Sequence, residues 1–228
     1  MTDTGLTASF IFSFLFSAGG ALIWMKLIIK ADPGWKKKQH RWILYIIAGV
    51  GSAFLSLLFY RAAFFITGGG FYSMYAAADD FWFYILINGP AEEWAKFLVF
   101  LLIAKGFNKV KEPRDGVLVA MMVALGFSFY ENILYINHFG NIGERIFFSS
   151  SGHMSYAAVW GYFTGSVILS GEGKINIILS VSVIAFIHGL FNFLLSWVGI
   201  TAGLILDAVI YIITLAILYS VLKIPGEY

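Results

Sequence analysis

Long apolar runs alternate with short polar segments along this chain. Each run is close to the roughly 20 residues that an α-helix needs to cross a hydrocarbon core of about 30 Å. The pattern therefore predicts an all-α polytopic membrane protein with about seven transmembrane helices, and residues 1–228 are expected to form a single helical bundle. The predicted spans are Phe10 to Ile29, Trp42 to Ile66, Phe81 to Ala104, Gly116 to Ile136, Phe147 to Ser170, Ile175 to Val198 and Thr201 to Leu222.

The composition agrees with this pattern and excludes several classes of site. The 228 residues are 60% hydrophobic and 12% charged, whereas an ordinary soluble domain carries about 25% charged residues. The chain has no cysteine, so it has no disulfide, no thiolate nucleophile and no cysteine ligand for a metal. The formal charge of +2 gives no indication of nucleic-acid binding, and the expected surroundings are a lipid bilayer.

Basic residues fall in alternate loops and indicate the orientation of the chain. Loops rich in Lys and Arg stay on the cytoplasmic side, and the segments 30–41 and 105–115 are the most basic loops. We therefore predict that the N-terminus lies outside and the C-terminus in the cytoplasm. Lys26 and Lys30 lie at the end of the first apolar run instead of preceding it, so we expect a retained anchor and not a cleaved signal peptide.

The third span contains a charged cluster in the middle of an apolar segment. One charge at the bilayer centre costs from about 3 to above 10 kcal/mol, so such a cluster predicts a functional site. Pro90 predicts a break or kink at Asn88–Pro90, with a new helix that starts at the proline. On that helix Lys96 can pair with Glu92, four residues away, or with Glu93, three residues away. Either pairing leaves one carboxylate that could act as a general base.

Three further spans contain polar side chains that are unusual at membrane depth. Glu131 and Asn132 interrupt an apolar helix, which indicates a face turned toward protein or water. His188 and Asn192 are four residues apart and share a helical face. His153 follows a serine run, and an interfacial histidine is an equally good interpretation of that residue alone. At about 1.5 Å per residue, the acids and histidines all fall in the outer half of the membrane, so we predict that they surround one site.

Carboxylates, imidazoles and an amide without a nucleophile motif indicate an activated water. A glutamate could take a proton from this water, while His and Asn stabilise the oxyanion that forms when an amide is attacked. The same groups could instead hold Zn²⁺ through two His and one or two Glu. The sequence leaves both versions open. A proton-coupled transporter and a non-catalytic binding or immunity protein are the alternatives from other classes.

The order of these motifs resembles that of PrsW-type intramembrane proteases, over a motif core at residues 88–194. PrsW proteins are related to the type II CaaX prenyl endopeptidases and to bacteriocin-immunity membrane proteins. The resemblance implies a hydrolase of the bacterial cytoplasmic membrane that makes a site-1 type cut in a membrane-anchored substrate, such as an anti-sigma factor, near the outer side. The matching segments are Glu92-Glu93-Trp-Ala-Lys96, Phe127-Ser-Phe-Tyr-Glu131-Asn132, Ser151-Gly-His153 and His188-Gly-Leu-Phe-Asn192.

The resemblance also implies a role for each matching residue. Glu92 would be the base, aided by Glu93 or Glu131, and His188 with Asn192 would hold the oxyanion. The supporting residues would be Lys96, Phe127 and Asn132. In the metal version the ligands would be Glu92, Glu131, His153 and His188. Glu131 stands where the prenyl proteases have a histidine, as it does in PrsW relatives, and His153 would supply the missing imidazole. The oligomeric state and the identity of the substrate stay open.

Overall fold

A computed structural model describes residues 3–31, 39–67, 81–107, 110–140, 142–197 and 200–223. These residues form seven helices and no strand, which confirms the predicted all-α fold. Four of the helices, α1, α2, α4 and α6, are long and apolar enough to cross a membrane. The helices are α1 (Asp3–Ala31), α2 (Gln39–Ile66), α3 (81–107), α4 (Pro113–Phe139), α5 (144–170), α6 (Lys174–Trp197) and α7 (Ile200–Lys223).

Each helix covers the corresponding predicted span, apart from Val198 at the end of the sixth span, which lies outside the described residues. The loop lysines 36–38 and 109, on which the orientation was based, also lie outside them. The position of the termini relative to the membrane therefore stays a prediction.

Helix α4 is the central element of the bundle. Its residues 116–128 are all buried, and it packs along α5 and against α2 and α1. A helix that is apolar on every side is stable only when protein or lipid surrounds it, and here protein surrounds α4. The outer helices instead expose large apolar side chains, as expected for surfaces that face lipid.

Glycines allow the helices to cross at very short distances. A Cβ added at any of the crossing glycines would meet backbone atoms of the facing helix at less than 3 Å. Such close approach is the usual way in which membrane helices gain packing contacts. The crossing pairs are Gly49 with Gly126, Gly116 with Gly161, and Gly89 with Gly189. The last pair joins α3 to α6 beside the charged cluster.

The irregularity predicted at Asn88–Pro90 is present as a widened turn and not as an interruption. The Gly89 N–H bonds to the carbonyl of Tyr84, five residues earlier, across the π-helical turn Tyr84–Asn88. Gly89 itself has helical angles, φ −55° and ψ −49°, so the helix does not restart at Pro90. A proline lacks the N–H and crowds the carbonyl four residues before it, and we attribute the widened turn to this constraint.

Helix α5 begins with a second widened turn, at Glu144–Ser149. The carbonyl of Arg145 accepts the backbone N–H of Ser150, and the Asn132 amide of α4 also donates to that carbonyl. The indole N–H of Trp24 donates to the next carbonyl, that of Ile146, at 2.8 Å. Side chains from α1 and α4 therefore hold this turn, and π-helical turns often occur beside functional sites.

Candidate active site

Glu93 of α3 is fully buried, and both of its carboxylate oxygens accept hydrogen bonds. Oε1 accepts from Lys96 Nζ at 2.5 Å and lies 2.8 Å from His188 Nδ1. Oε2 accepts from Trp160 Nε1 at 3.0 Å. The ion pair of the cluster is thus the three-apart pair of Glu93 and Lys96. A carboxylate with three donors and a cation beside it serves to hold its neighbours in place.

Glu92 is also buried, with an exposed fraction of 4%, but its two oxygens differ. Oε1 accepts from the Tyr60 hydroxyl at 2.8 Å and from Asn88 Nδ2 at 3.0 Å. Oε2 has no hydrogen-bond partner within the described part of the chain. It lies 3.7 Å from Nε2 of His188. One oxygen of Glu92 is therefore fixed and the other is free to act.

His188 of α6 presents a defined ring nitrogen to that free oxygen. An ionised carboxylate can only accept a hydrogen bond, so the 2.8 Å contact with Glu93 places the ring proton on Nδ1. In the neutral form of this tautomer, the lone pair lies on Nε2, the nitrogen that is 3.7 Å from Glu92 Oε2. The Tyr156 ring stacks on the imidazole with a centroid distance of 4.8 Å. The orientation and the tautomer of His188 are both fixed by its surroundings.

His153 of α5 completes the group from the opposite side. Its Nδ1 lies 3.0 Å from Lys96 Nζ, and its Nε2 lies 2.9 Å from an oxygen of Glu131. An ammonium group only donates, so Nδ1 accepts and the proton on Nε2 points to Glu131. The Phe127 ring lies against both His153 and Lys96, at 5.1 Å and 4.5 Å. The rings of His153 and His188 are 5.1 Å apart.

Glu131 lies at the edge of the site, with 18% of its side chain exposed. It forms an ion pair with Arg145. Asn132 accepts from Arg145 Nε and donates to Ser150 Oγ, at 3.1 Å and 3.0 Å. The Arg145 guanidinium also lies 4.0 Å from the centroid of the Tyr135 ring. Glu131 and Asn132 thus face protein, as predicted, and together with Arg145 they fasten the start of α5 to α4.

Asn192 is connected to Glu92 through the side-chain amide of Asn88. Its Nδ2 donates to Asn88 Oδ1 at 2.7 Å, and Asn88 Nδ2 lies 2.6 Å from the Tyr60 hydroxyl. This chain of hydrogen bonds runs from α6 through α3 to α2 and ends on Glu92. One amide proton of Asn192 is used in it, and the expected role of Asn192 as an oxyanion donor stays a prediction.

Several residues of this network were absent from the sequence-based site, among them Tyr60, Asn88, Trp160 and Arg145. Aromatic residues are common in membrane helices, so Tyr60 and Trp160 carry no signal that separates them from ordinary lipid-facing or interfacial residues. Arg145 did carry a signal, because it is the one basic residue of the predicted outer loops.

The structure brings the predicted acids and histidines of α3, α5 and α6 together. Ligand atoms of Glu92, His153 and His188, all buried, lie within 4.8 Å of one another, and such a group could hold a metal ion. Glu131, the fourth residue of the expected metal set, contacts His153 and Arg145. Two imidazoles and one carboxylate are a donor set found in catalytic zinc sites.

Comparisons with a family model and with individual known proteins identify the same family. Residues 38–222 match the model of the PrsW family of intramembrane metalloproteases. The chain is 30% identical over 117 residues to Protease PrsW of Shouchella clausii, an alignment that covers 50% of this chain and 54% of the relative. It is 30% identical over 107 residues to Protease PrsW of Oceanobacillus iheyensis, covering 46% and 50%.

A third relative, Protease PrsW of Bacillus subtilis, is 27% identical over 121 residues, covering 51% of this chain and 56% of the relative. The chain thus spans about half the length of the curated relatives it matches. No solved structure matches the chain with statistical significance.

Proposed function

The chain belongs to the PrsW family of intramembrane metalloproteases, and on this basis we propose that it is an endopeptidase that hydrolyses a peptide bond of a membrane-anchored protein. The chain is a multi-pass membrane protein of the bacterial cell membrane. The proposed substrate is an anti-sigma-factor-like protein that is cut near the outer side of the membrane. The depth of the acids and histidines in the predicted spans supports a cut on that side.

The observation that carries the proposal is the free oxygen of Glu92. A buried carboxylate oxygen without a donor costs free energy, and here this oxygen lies 3.7 Å from Nε2 of His188. This pair of lone-pair donors suits a water molecule or a metal ion. The other described acids of the cluster, Glu93 and Glu131, are paired with cations. We therefore assign the activation of the attacking water to Glu92.

The donor set fits a divalent metal ion. Glu92 Oε2, His188 Nε2 and a ring nitrogen of His153 would hold the ion, and the contact between Glu93 and His188 Nδ1 is the kind that orients a metal-binding histidine. A bound Zn²⁺ supplies a water that is activated at neutral pH and polarises the carbonyl group that is attacked. His153 would have to give up its contact with Glu131 or Lys96 to become a ligand.

That last requirement supports a second version, in which Glu92 acts without a metal. Both ring nitrogens of His153 already lie within hydrogen-bond distance of other groups, Lys96 and Glu131. In this version Glu92 takes a proton from water, the water oxygen bonds to the carbonyl carbon, and the proton passes to the leaving amine as the C–N bond breaks. His188 with Asn192 would stabilise the oxyanion.

Cleavage of a single-span substrate by the purified full chain in detergent tests the proposal. Glu92→Gln is expected to lower the rate by about 10²–10⁴-fold, the usual contribution of a catalytic acid or base. Glu144→Gln is the matched control, because Glu144 is exposed at the start of α5. Undiminished cleavage by the Glu92→Gln chain would show that the proposed mechanism is wrong. Solute or proton flux in liposomes without any cleavage would support a transporter instead.

Metal removal separates the two versions of the mechanism. Treatment with a zinc chelator is expected to abolish cleavage, and added Zn²⁺ is expected to restore it. Bound zinc measured by elemental analysis should be lost in the Glu92→Ala and His188→Ala chains. Full activity of a chelated, zinc-free chain would instead establish the version without a metal.

A further inference from the structure

We propose that Tyr60 of α2 is a positioning residue that leaves a single oxygen of Glu92 available to the active site. This inference rests on the proposed function and extends it to a helix outside the expected motif core 88–194. Tyr60 hydrogen-bonds to Oε1 of Glu92 and not to the free Oε2, so it would act through the carboxylate and not on the substrate.

The hydroxyl of Tyr60 is held by three hydrogen-bond contacts. It accepts from Asn88 Nδ2 at 2.6 Å and donates to Glu92 Oε1 at 2.8 Å, and the Asn88 carbonyl is a more distant acceptor at 3.5 Å. The ring stacks on that of Phe83, with a centroid distance of 6.3 Å and an interplanar angle of 21°, and packs beside Ile87. Both of these apolar partners belong to α3, on the segment around its widened turn. The position of the hydroxyl is thus set by the helix that carries Glu92.

These contacts make the two oxygens of Glu92 inequivalent. A free carboxylate has about four lone-pair sites and can exchange its oxygens by rotation. Two donors on Oε1, from Tyr60 and Asn88, oppose that rotation and keep Oε2 toward His188. Glu92 can then offer one oxygen, in one direction, to a water or a metal ion.

The donors on Oε1 are also neutral, which matters for the chemistry. A lysine or arginine at this position would balance the charge of Glu92 and weaken it as a base or as a ligand. The nearby Lys96 is paired with Glu93 instead. Tyr60 and Asn88 orient Glu92 without cancelling its charge. This is the arrangement that a general base or a metal ligand requires.

The test compares Tyr60→Phe with Tyr130→Phe in the full chain. Both changes remove only a hydroxyl, and the Tyr130 ring also packs against α2, at 4.7 Å from that of Phe54. Loss of a group that orients a ligand typically costs about 10–100-fold in activity or metal affinity. We expect Tyr60→Phe to lower kcat by this factor with KM unchanged and to weaken Zn²⁺ binding, measured by chelator competition on the metal-stripped chain. Tyr130→Phe should match the wild type.

Two further readouts separate positioning from a loss of folding. Asn88→Ser withdraws the second donor from Oε1, so its effect on kcat should be non-additive with that of Tyr60→Phe. The infrared carboxylate band of Glu92, assigned by its disappearance in Glu92→Gln, should shift in Tyr60→Phe but not in Tyr130→Phe. This band can be measured without any substrate or metal.

The outcomes distinguish this inference from the proposed function. If the wild type cleaves substrate and Tyr60→Phe keeps its kcat, zinc affinity and infrared band, Tyr60 is not a positioning residue. If the wild type neither cleaves nor binds zinc, the proposed function is wrong, and an unshifted band would reject the contact of Tyr60 with Glu92 as well. Additive effects of Tyr60→Phe and Asn88→Ser would contradict their action on one oxygen.

Discussion

Replacing Glu93 by glutamine removes the negative charge that faces the Lys96 ammonium at 2.5 Å. Both side chains have no exposed surface, so water cannot take over the role of the lost carboxylate. The same substitution at Glu92 has a different consequence. A glutamine at position 92 can keep its amide oxygen on the Tyr60 hydroxyl and the Asn88 amide, and no lysine or arginine loses a partner. Two neighbouring glutamates should therefore respond differently to one chemical change.

The burial of the ion pair determines how much the two substitutions differ in their effect on the free energy of unfolding. Removing one partner of a buried ion pair costs about 3–5 kcal/mol, because the other charge stays buried without compensation. For a chain of this length this corresponds to a fall of roughly 6–20 °C in melting temperature. In the metal-free chain, Glu92→Gln should not lower the free energy of unfolding, since the bonds to Oε1 have neutral replacements and no ion pair is broken. Glu92→Gln should nevertheless lose the proposed cleavage.

Thermal unfolding in detergent, followed by tryptophan fluorescence, measures the first effect, and substrate cleavage measures the second. A double variant provides the internal control. When Lys96→Met is added to Glu93→Gln, no buried charge is left unpaired, so much of the lost stability should return. Equal melting temperatures for Glu92→Gln and Glu93→Gln, or no recovery in the double variant, would refute the assignment of the ion pair to Glu93.

Two other predictions concern packing and the support of the site. Gly49→Ala should lower the free energy of unfolding by about 1–3 kcal/mol, because the new Cβ would meet the backbone of α4. The new Cβ of Gly51→Ala would point into open space, so this change should raise the free energy of unfolding by up to about 1 kcal/mol. Equal melting temperatures of the two variants would contradict this prediction. Trp160→Phe should cost about 1–3 kcal/mol by withdrawing the indole N–H from Glu93 Oε2, and an unchanged melting temperature would show that this bond contributes nothing.

The helices and the members of the site could be predicted because the membrane restricts the alternatives. Apolar runs of a fixed length must be helices, since lipid offers no partner for a free backbone group. Polar side chains at membrane depth must likewise face one another or water. Glu92, His153 and His188 come from three different helices, and this constraint alone indicated that they would meet. The structure confirms that their ligand atoms lie together.

The separate tasks of Glu92 and Glu93 could not be predicted, because they depend on the rotation of α3 about its axis. Adjacent residues differ by about 100° around a helix. The rotation is fixed by the widened turn before Gly89 and by the crossing of Gly89 with Gly189. Both are tertiary features. The same reason hides Tyr60, since a tyrosine in an apolar helix becomes a site residue only through the neighbour that it meets.

The balance of charge gives an independent argument about what the site binds. The cluster contains three carboxylates, but among the described residues only Glu93 and Glu131 have a lysine or arginine partner, namely Lys96 and Arg145. When Glu92 is ionised and both histidines are neutral, one negative charge stays uncompensated inside a bundle that lipid surrounds, and such a charge is costly. A cation would offset this charge, and an anion would increase the cost. Since Glu92 also has the free oxygen, the electrostatics and the hydrogen bonding both favour a cation at this position.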